Sequence, residues 1–239
     1  MTPLASGGVV IPNFGQASSC VRNNGTFCWS WFTSHWSTIF QPALVQHIKL
    51  TAIAVGCGFV LSFALALLAY RWRRLEPPIG IVATMLYTIP SLAAFKILEP
   101  FTGLGLWTAE IPLAIYTVVL LFGNIVTGLR EVPPDVLEAA RGMGLTGRQT
   151  LLRVQLPLAL PSIFAGLRIA TVTTVSLATA AAFVIDEGLG SPIFRAIGSP
   201  FNTTFIAASG LAIALAIVAD LGLVGLQRVL TPWARRRAA

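Results

Sequence analysis

The chain has 239 residues, of which 55% are hydrophobic and only 10% charged, whereas an ordinary soluble domain carries about 25% charged residues. That balance excludes a water-soluble globular fold. The formal net charge of +7 does not point to nucleic acid either, because the basic residues lack aromatic interleaving and gather beside apolar runs.

In chain order, residues 1–45 come first, and they are polar, Trp-rich and almost uncharged. No basic start followed by an apolar core marks them as a cleavable signal, so they read as an external tail. Cys20 and Cys28 lie in this tail and can close a short disulfide loop on an oxidising face, a pairing that spacing alone does not fix. Five apolar runs follow, near 46–70, 79–98, 104–129, 160–185 and 205–230. Each is long enough to cross a bilayer core about 30 Å thick as a helix. Unbroken runs of this length exclude the alternating pattern of a membrane barrel. The predicted fold is therefore an all-α integral membrane bundle of about five spans over 46–230, with a basic tail at 231–239.

Arg71, Arg73, Arg74, Arg130, Arg141, Arg148, Arg153, Arg228 and Arg235 to Arg237 fall on one side if the spans alternate. Arg22 and Arg195 fall on the other. The positive-inside bias makes the first side cytoplasmic, with the N-terminus outside and the C-terminus inside.

Within the spans, Cys57 reads as a small buried hydrophobe. Pro90, between Tyr87, Thr88 and Ser91, interrupts the backbone ladder in mid-membrane and frees a carbonyl. Such a break lines a cavity or serves as a packing kink. Arg168 and Asp220 are expected to snorkel or pair across neighbouring spans, and Glu110 has no assigned role. Gly166, Ala170, Thr173, Thr174, Ser176 and Ala180 form a small, hydroxylated packing face on the fourth span. His35 and His47 have no metal or nucleophile constellation around them and read as ordinary surface residues.

The connection at 130–157 is long and amphiphilic. Pro133 and Pro134 can open a first short helix, Asp135 and Glu138 suit its first turns, Arg141 its last, and Gly142 or Gly144 its end. Thr146 with Gln149 makes a capping box for a second. Within this connection Glu138-Ala139-Ala140-Arg141, Gly144 six residues after the glutamate, Val154, Leu156 and Pro157 reproduce the EAA loop. In these residues the chain resembles the permease subunits of ABC importers. The resemblance implies the type I, methionine-permease-like fold of a prokaryotic cell membrane, with the loop as a coupling helix docked into a cleft of an ATPase subunit. It also implies a second permease chain, identical or related, and an external substrate-binding protein.

The sequence contains no phosphate-binding G-x-x-x-x-G-K-[ST] loop. The expectation is thus a non-catalytic transport subunit without cofactor of its own, ATP and magnesium belonging to the partner ATPase. Within the importers, Tyr87-Thr88-Ile89-Pro90-Ser91-Leu92-Ala93 resembles an element of permeases for quaternary amines such as glycine betaine, choline and carnitine. Gly188-Leu189-Gly190 is similar to that subgroup as well, whereas Asp186-Glu187 replaces the small residues usual before it. The resemblance makes Tyr87, Thr88, Pro90 and Ser91 candidates for the translocation pathway. Aromatic faces attract quaternary cations, but high-affinity capture in this family falls to the external protein, so no aromatic cage is assigned. The alternatives are an importer permease for an amino acid or oxyanion, or a carrier not coupled to ATP. The last calls for inverted repeats or a filter sequence, and neither is visible.

Overall fold

The computed structural model describes Cys20, residues 25–197, Ser199 and residues 201–233. Most of the expected tail at 1–45 and of the basic tail at 231–239 lies outside the described residues. Among the described residues every regular element is helical.

The chain enters through a short helix, α1 (Trp29–Ser34), and a π turn at Trp36–Phe40 into the long α2 (Gln41–Arg71). After a 3-10 turn at Arg73–Leu75 come α3 (Glu76–Tyr87) and α4 (Ser91–Thr102), then α5 (Leu106–Arg130). The connection carries α6 (Pro134–Gly142) and α7 (Gly147–Thr150). A second π turn at Leu151–Gln155 leads into α8 (Leu156–Ile185). Finally α9 (Gly190–Ile197) precedes α10 (Asn202–Leu230).

Four helical stretches are long and apolar enough to cross a membrane: Trp36–Arg71, Leu106–Arg130, Gly147–Ile185 and Asn202–Leu230. The run read as a single span at 79–98 is instead two helices, α3 and α4, bent by 91°. The cause is Pro90, which donates no backbone N–H and itself sits outside the helical region at ψ 134°. The second loop helix also differs from expectation, for α7 continues through the π turn into α8 with no separate start near 160. Both π turns stand just before a proline at the second position of the next helix, Pro42 and Pro157. A widened turn accommodates the missing donor there.

The two most buried spans are α5, with 56% of its apolar window inside the fold, and α8 with 50%, whereas α10 has 11% and lies at the periphery. The seams around α5 and α8 are made by small residues. A methyl group on Gly58 of α2 would sit 2.5 Å from Thr117 Cβ, one on Gly166 of α8 would sit 2.6 Å from Asn124 Cβ, and one on Gly128 of α5 would sit 2.8 Å from Ser162 Cβ. Thr117 and Thr174 share a hydrogen bond of 3.1 Å between α5 and α8, and Ser162 Oγ donates to the Asn124 carbonyl at 3.0 Å. Close approach with interhelical hydrogen bonds replaces the hydrophobic drive that lipid removes. Larger side chains fill the rest: Leu121, Phe122, Ile125 and Leu129 toward the loop end, Leu50, Phe95 and Leu113 toward the other.

The far end is capped by α1. A disulfide joins Cys20 to Cys28, the Cys28 N–H donates to Thr203 Oγ1 at 2.9 Å, and Trp31 stacks on His35 with ring centres 4.2 Å apart. Phe40 is fully buried beneath this aromatic lid.

Candidate functional site

The connection between α5 and α8 is a doubly anchored projection of two capped short helices. Pro134 opens α6 in a position where its missing donor costs nothing, and Asp135 and Arg141 match the two ends of the helix dipole. Gly144, at φ +77°, closes the helix. Its N–H donates to the Arg141 carbonyl at 2.9 Å, and the next N–H, of Leu145, donates to the Ala140 carbonyl at 3.1 Å. These are the two bonds of a Schellman motif, which needs a residue that tolerates the left-handed region. The capping box then starts α7. The Thr146 N–H donates to Gln149 Oε1 at 2.8 Å, and the Gln149 N–H to Thr146 Oγ1 at 3.3 Å.

Both ends of the connection are tied to other helices. An Arg130–Glu76 ion pair holds the last residue of α5 to the first turn of α3. The Gln155 amide donates to the Tyr70 hydroxyl, tying the second π turn to the end of α2. Between these anchors Ala140 is buried, while Glu138, Ala139 and Arg141 face outward and Val154, Leu156 and Pro157 are half-buried. The motif residues are thus gathered on one projection whose small, exposed Glu138-Ala139 face is free to meet another protein.

The break between α3 and α4 brings Tyr87, Thr88, Pro90 and Ser91 together. Tyr87, Thr88 and Pro90 are exposed on the single chain and Ser91 is half-buried. Thr88 Oγ1 donates to the Met85 carbonyl at 2.7 Å. The Ile89 carbonyl, which lies at the break, is satisfied by a residue outside the motif: the Tyr116 hydroxyl of α5 donates to it at 2.7 Å. Tyr87 and Tyr116 meet edge to face with ring centres 5.6 Å apart.

Arg168 of α8 and Asp220 of α10 form a two-pronged ion pair, with Nε to Oδ1 at 2.7 Å and Nη2 to Oδ2 at 2.9 Å. It ties the peripheral α10 to the centre. Glu110 is buried in α5, and neither of its carboxylate oxygens has a hydrogen-bond partner among the described residues.

Two expectations for single residues are corrected. His47 is not a surface residue but fully buried. One ring nitrogen, Nε2, lies 3.0 Å from the Val175 carbonyl. The other, Nδ1, accepts from the Leu189 N–H at 3.2 Å, an arrangement that places the proton on Nε2. The loop after α8 folds back onto it, with Gly188 at φ +71° so close that an added methyl would meet His47 Nδ1 at 2.9 Å. Cys57 is exposed on the single chain, not buried, because α2 is apolar all round and it is the Ala54, Gly58 and Ser62 face that packs inward.

Asp186 turns the chain after α8 in the left-handed region, at φ 51°. Its carboxylate accepts from Ser191 Oγ at 2.7 Å and pairs with Arg195. The Ser191 hydroxyl first, and then the Arg195 guanidinium, hold this carboxyl below the ordinary aspartate range.

Known proteins resemble this chain in sequence and in fold. The family model described as the binding-protein-dependent transport system inner membrane component matches residues 58–236. The chain is 36% identical over 192 residues to the osmoprotectant import permease protein OsmW of Salmonella typhimurium, covering 78% of this chain and 89% of that one. It is 33% identical over 193 residues to the glycine betaine/carnitine/choline transport system permease protein OpuCD of Bacillus subtilis, covering 80% and 84%. The ergothioneine transport permease/ergothioneine binding protein EgtU of Helicobacter pylori is 41% identical over 140 residues, 58% of this chain but 25% of that longer protein. Among solved structures, a chain of the inward-facing MetNI methionine ABC transporter superposes with a TM-score of 0.74 at 22% identity, covering 82% of this chain and 98% of that one. That likeness shows the fold. With the family model spanning most of its length, the chain belongs to the binding-protein-dependent transport system inner membrane components, the permeases of ABC importers.

Proposed function

We propose that this chain is the permease subunit of an ABC importer that carries a quaternary amine osmoprotectant, such as glycine betaine, choline or carnitine, into the cell. The observation that carries the coupling part is the doubly anchored α6, closed at Gly144 and presenting Glu138 and Ala139 outward. An ATPase subunit that grips α6 moves α8 directly, since α7, the π turn and α8 are one continuous helix. The permease itself binds neither ATP nor magnesium, which belong to that partner. A second permease chain completes the pathway, with Tyr87, Thr88, Pro90 and Ser91 at the break lining it, and an external binding protein delivers the cargo. The N-terminus lies outside the cell membrane and the C-terminus in the cytoplasm, as the arginine distribution favours.

The cargo class is supported by the names of the relatives OsmW and OpuCD and by the residues from Tyr87 to Ala93. The name of EgtU adds ergothioneine, itself a quaternary amine, to the candidates. The experiment is ATP-dependent uptake of radiolabelled glycine betaine, choline, carnitine and ergothioneine into vesicles holding the permease, its ATPase and its binding protein. Uptake of one that the others compete supports the class. Stimulation by an unrelated amino acid or oxyanion alone overturns the cargo and leaves the importer standing.

A further inference from the structure

A cavity of about 620 Å³ lies between the end of α2 and the coupling projection. Arg71 from α2, Arg141 from α6 and Arg148 from α7 line it, and no acidic residue does. Among the described residues none of these three guanidinium groups has an ion pair or a hydrogen bond, although the acids Glu76, Glu99, Asp186 and Asp220 all have arginine or lysine partners elsewhere. Three exposed guanidinium groups are gathered at one cavity from three helices, so an anion held there gains attraction from each of them. The floor adds a donor: Tyr70 accepts from the Gln155 amide, which leaves its own O–H to be given away. Toward the bundle the walls become apolar, with Leu67 and Leu151.

Planar guanidinium forks match phosphate oxygens two at a time, and arginine is favoured wherever that geometry is read. We propose that this cavity binds a phosphate group, carried by an anionic phospholipid headgroup or as free phosphate, held by Arg71, Arg141 and Arg148 between α2 and the coupling loop. The ligand neutralises the cluster and joins the loop to the end of α2, beside the Gln155–Tyr70 tie. The gradation from arginine to leucine suits a phosphodiester with its glycerol and first acyl carbons, and the basic residues beside a span end lie where an anionic leaflet meets the protein. The site does not depend on which cargo the permease carries.

The test uses the permease purified with its ATPase subunit. Native mass spectrometry reads retention of phosphatidylglycerol against phosphatidylcholine at equal mole fraction, and equilibrium dialysis reads binding of labelled orthophosphate. R71Q/R148Q is compared with R73Q/R74Q, which removes the same charge outside the cavity. The wild-type complex is expected to hold one anion per permease chain. R71Q/R148Q weakens it by about tenfold or more for each charge-assisted hydrogen bond removed, and R73Q/R74Q leaves it unchanged. Retention of phosphatidylglycerol without orthophosphate binding assigns the lipid, and saturable orthophosphate binding assigns the free ion. Equal weakening in both double variants reduces the effect to general surface charge and overturns the site. If R71Q/R148Q fails to assemble, the wild type decides, since equal retention of the two lipids with no orthophosphate binding is equally fatal. Absence of anion binding together with shedding of the ATPase from R71Q/R148Q places the arginines at the subunit interface instead.

Discussion

The Tyr116 hydroxyl donates to the Ile89 carbonyl across 27 residues of sequence, at 2.7 Å, and so seals the backbone at the break between α3 and α4. In hydrocarbon an unpaired carbonyl has no water to turn to. Y116F keeps the ring and its edge contact with Tyr87 but removes the donor, at a cost of about 1–3 kcal/mol. Uptake is expected to fall severalfold with a lower thermal midpoint in detergent. An unchanged midpoint and unchanged uptake show that the hydroxyl does not hold the break.

Gly56 and Gly58 lie close together on α2 but in opposite surroundings, which makes them a matched pair. A methyl on Gly58 meets Thr117 at 2.5 Å and the Ala114 carbonyl at 2.9 Å, while one on Gly56 meets nothing within 4 Å. G58A is expected to destabilise by about 1–3 kcal/mol through overpacking. G56A is neutral or stabilising by up to about 1 kcal/mol, from helix propensity. Thermal unfolding of both variants in the same detergent checks the contrast.

Gly144 has open space around it, so its constraint is the backbone angle of +77° alone. Asparagine tolerates that region and valine does not. G144N is therefore expected to retain the ATPase on co-purification and most of the uptake, whereas G144V loses both. Equal behaviour of the two variants excludes the left-handed closure of α6 as the requirement.

The ion pair of Arg168 with Asp220 predicts that either single neutralisation, R168Q or D220N, lowers the yield of folded permease, because the remaining charge is left without its partner at membrane depth. The exchange R168D/D220R recovers part of that yield. A swap no better than the single variants means that the two positions act independently.

Asp186 supplies the pH dependence. Its carboxyl is held below the ordinary range by Ser191 and then Arg195, so its contribution is present above the unfolded pKa of about 3.9. It is lost as pH falls through the lower folded value. Both side chains of the pair are mostly exposed, which limits the effect to about 1 kcal/mol or less. D186N, which keeps the left-handed turn and the acceptor for Ser191, is expected to unfold slightly earlier than the wild type at pH 7. The two converge as pH falls through the lowered folded value. A difference that persists at the acid end assigns the loss to shape.

What is legible in the sequence is local. The Thr146–Gln149 capping box and the proline and glycine boundaries of α6 depend on residues a few positions apart, and the chain realises them as written. Pro90 announces an interruption, but the partner of the Ile89 carbonyl at the 91° bend is Tyr116, and no local pattern carries that pairing. The burial of His47 escapes a local reading because Gly188 and Leu189, some 142 residues away, create it by folding back onto the ring. The exposure of Cys57 escapes it because in an apolar helix hydropathy does not separate the inward face from the outward one. For His47 the one signal available is its place at the head of the first apolar run.

The seams at Gly58, Gly128 and Gly166 have a mechanical consequence. Gly128 and Gly166 pin α5 to α8 at two heights, and Thr117 with Thr174 pins them at a third. The same two helices are the legs from which the α6 projection hangs, one leading in at Arg130 and one leading out at Leu156. Contacts at three heights oppose shear of one helix past the other. On the coupling proposed above, a pull on the projection would tilt the two helices together, toward the far end where Gly190 seats its backbone against Thr179 and Ala182.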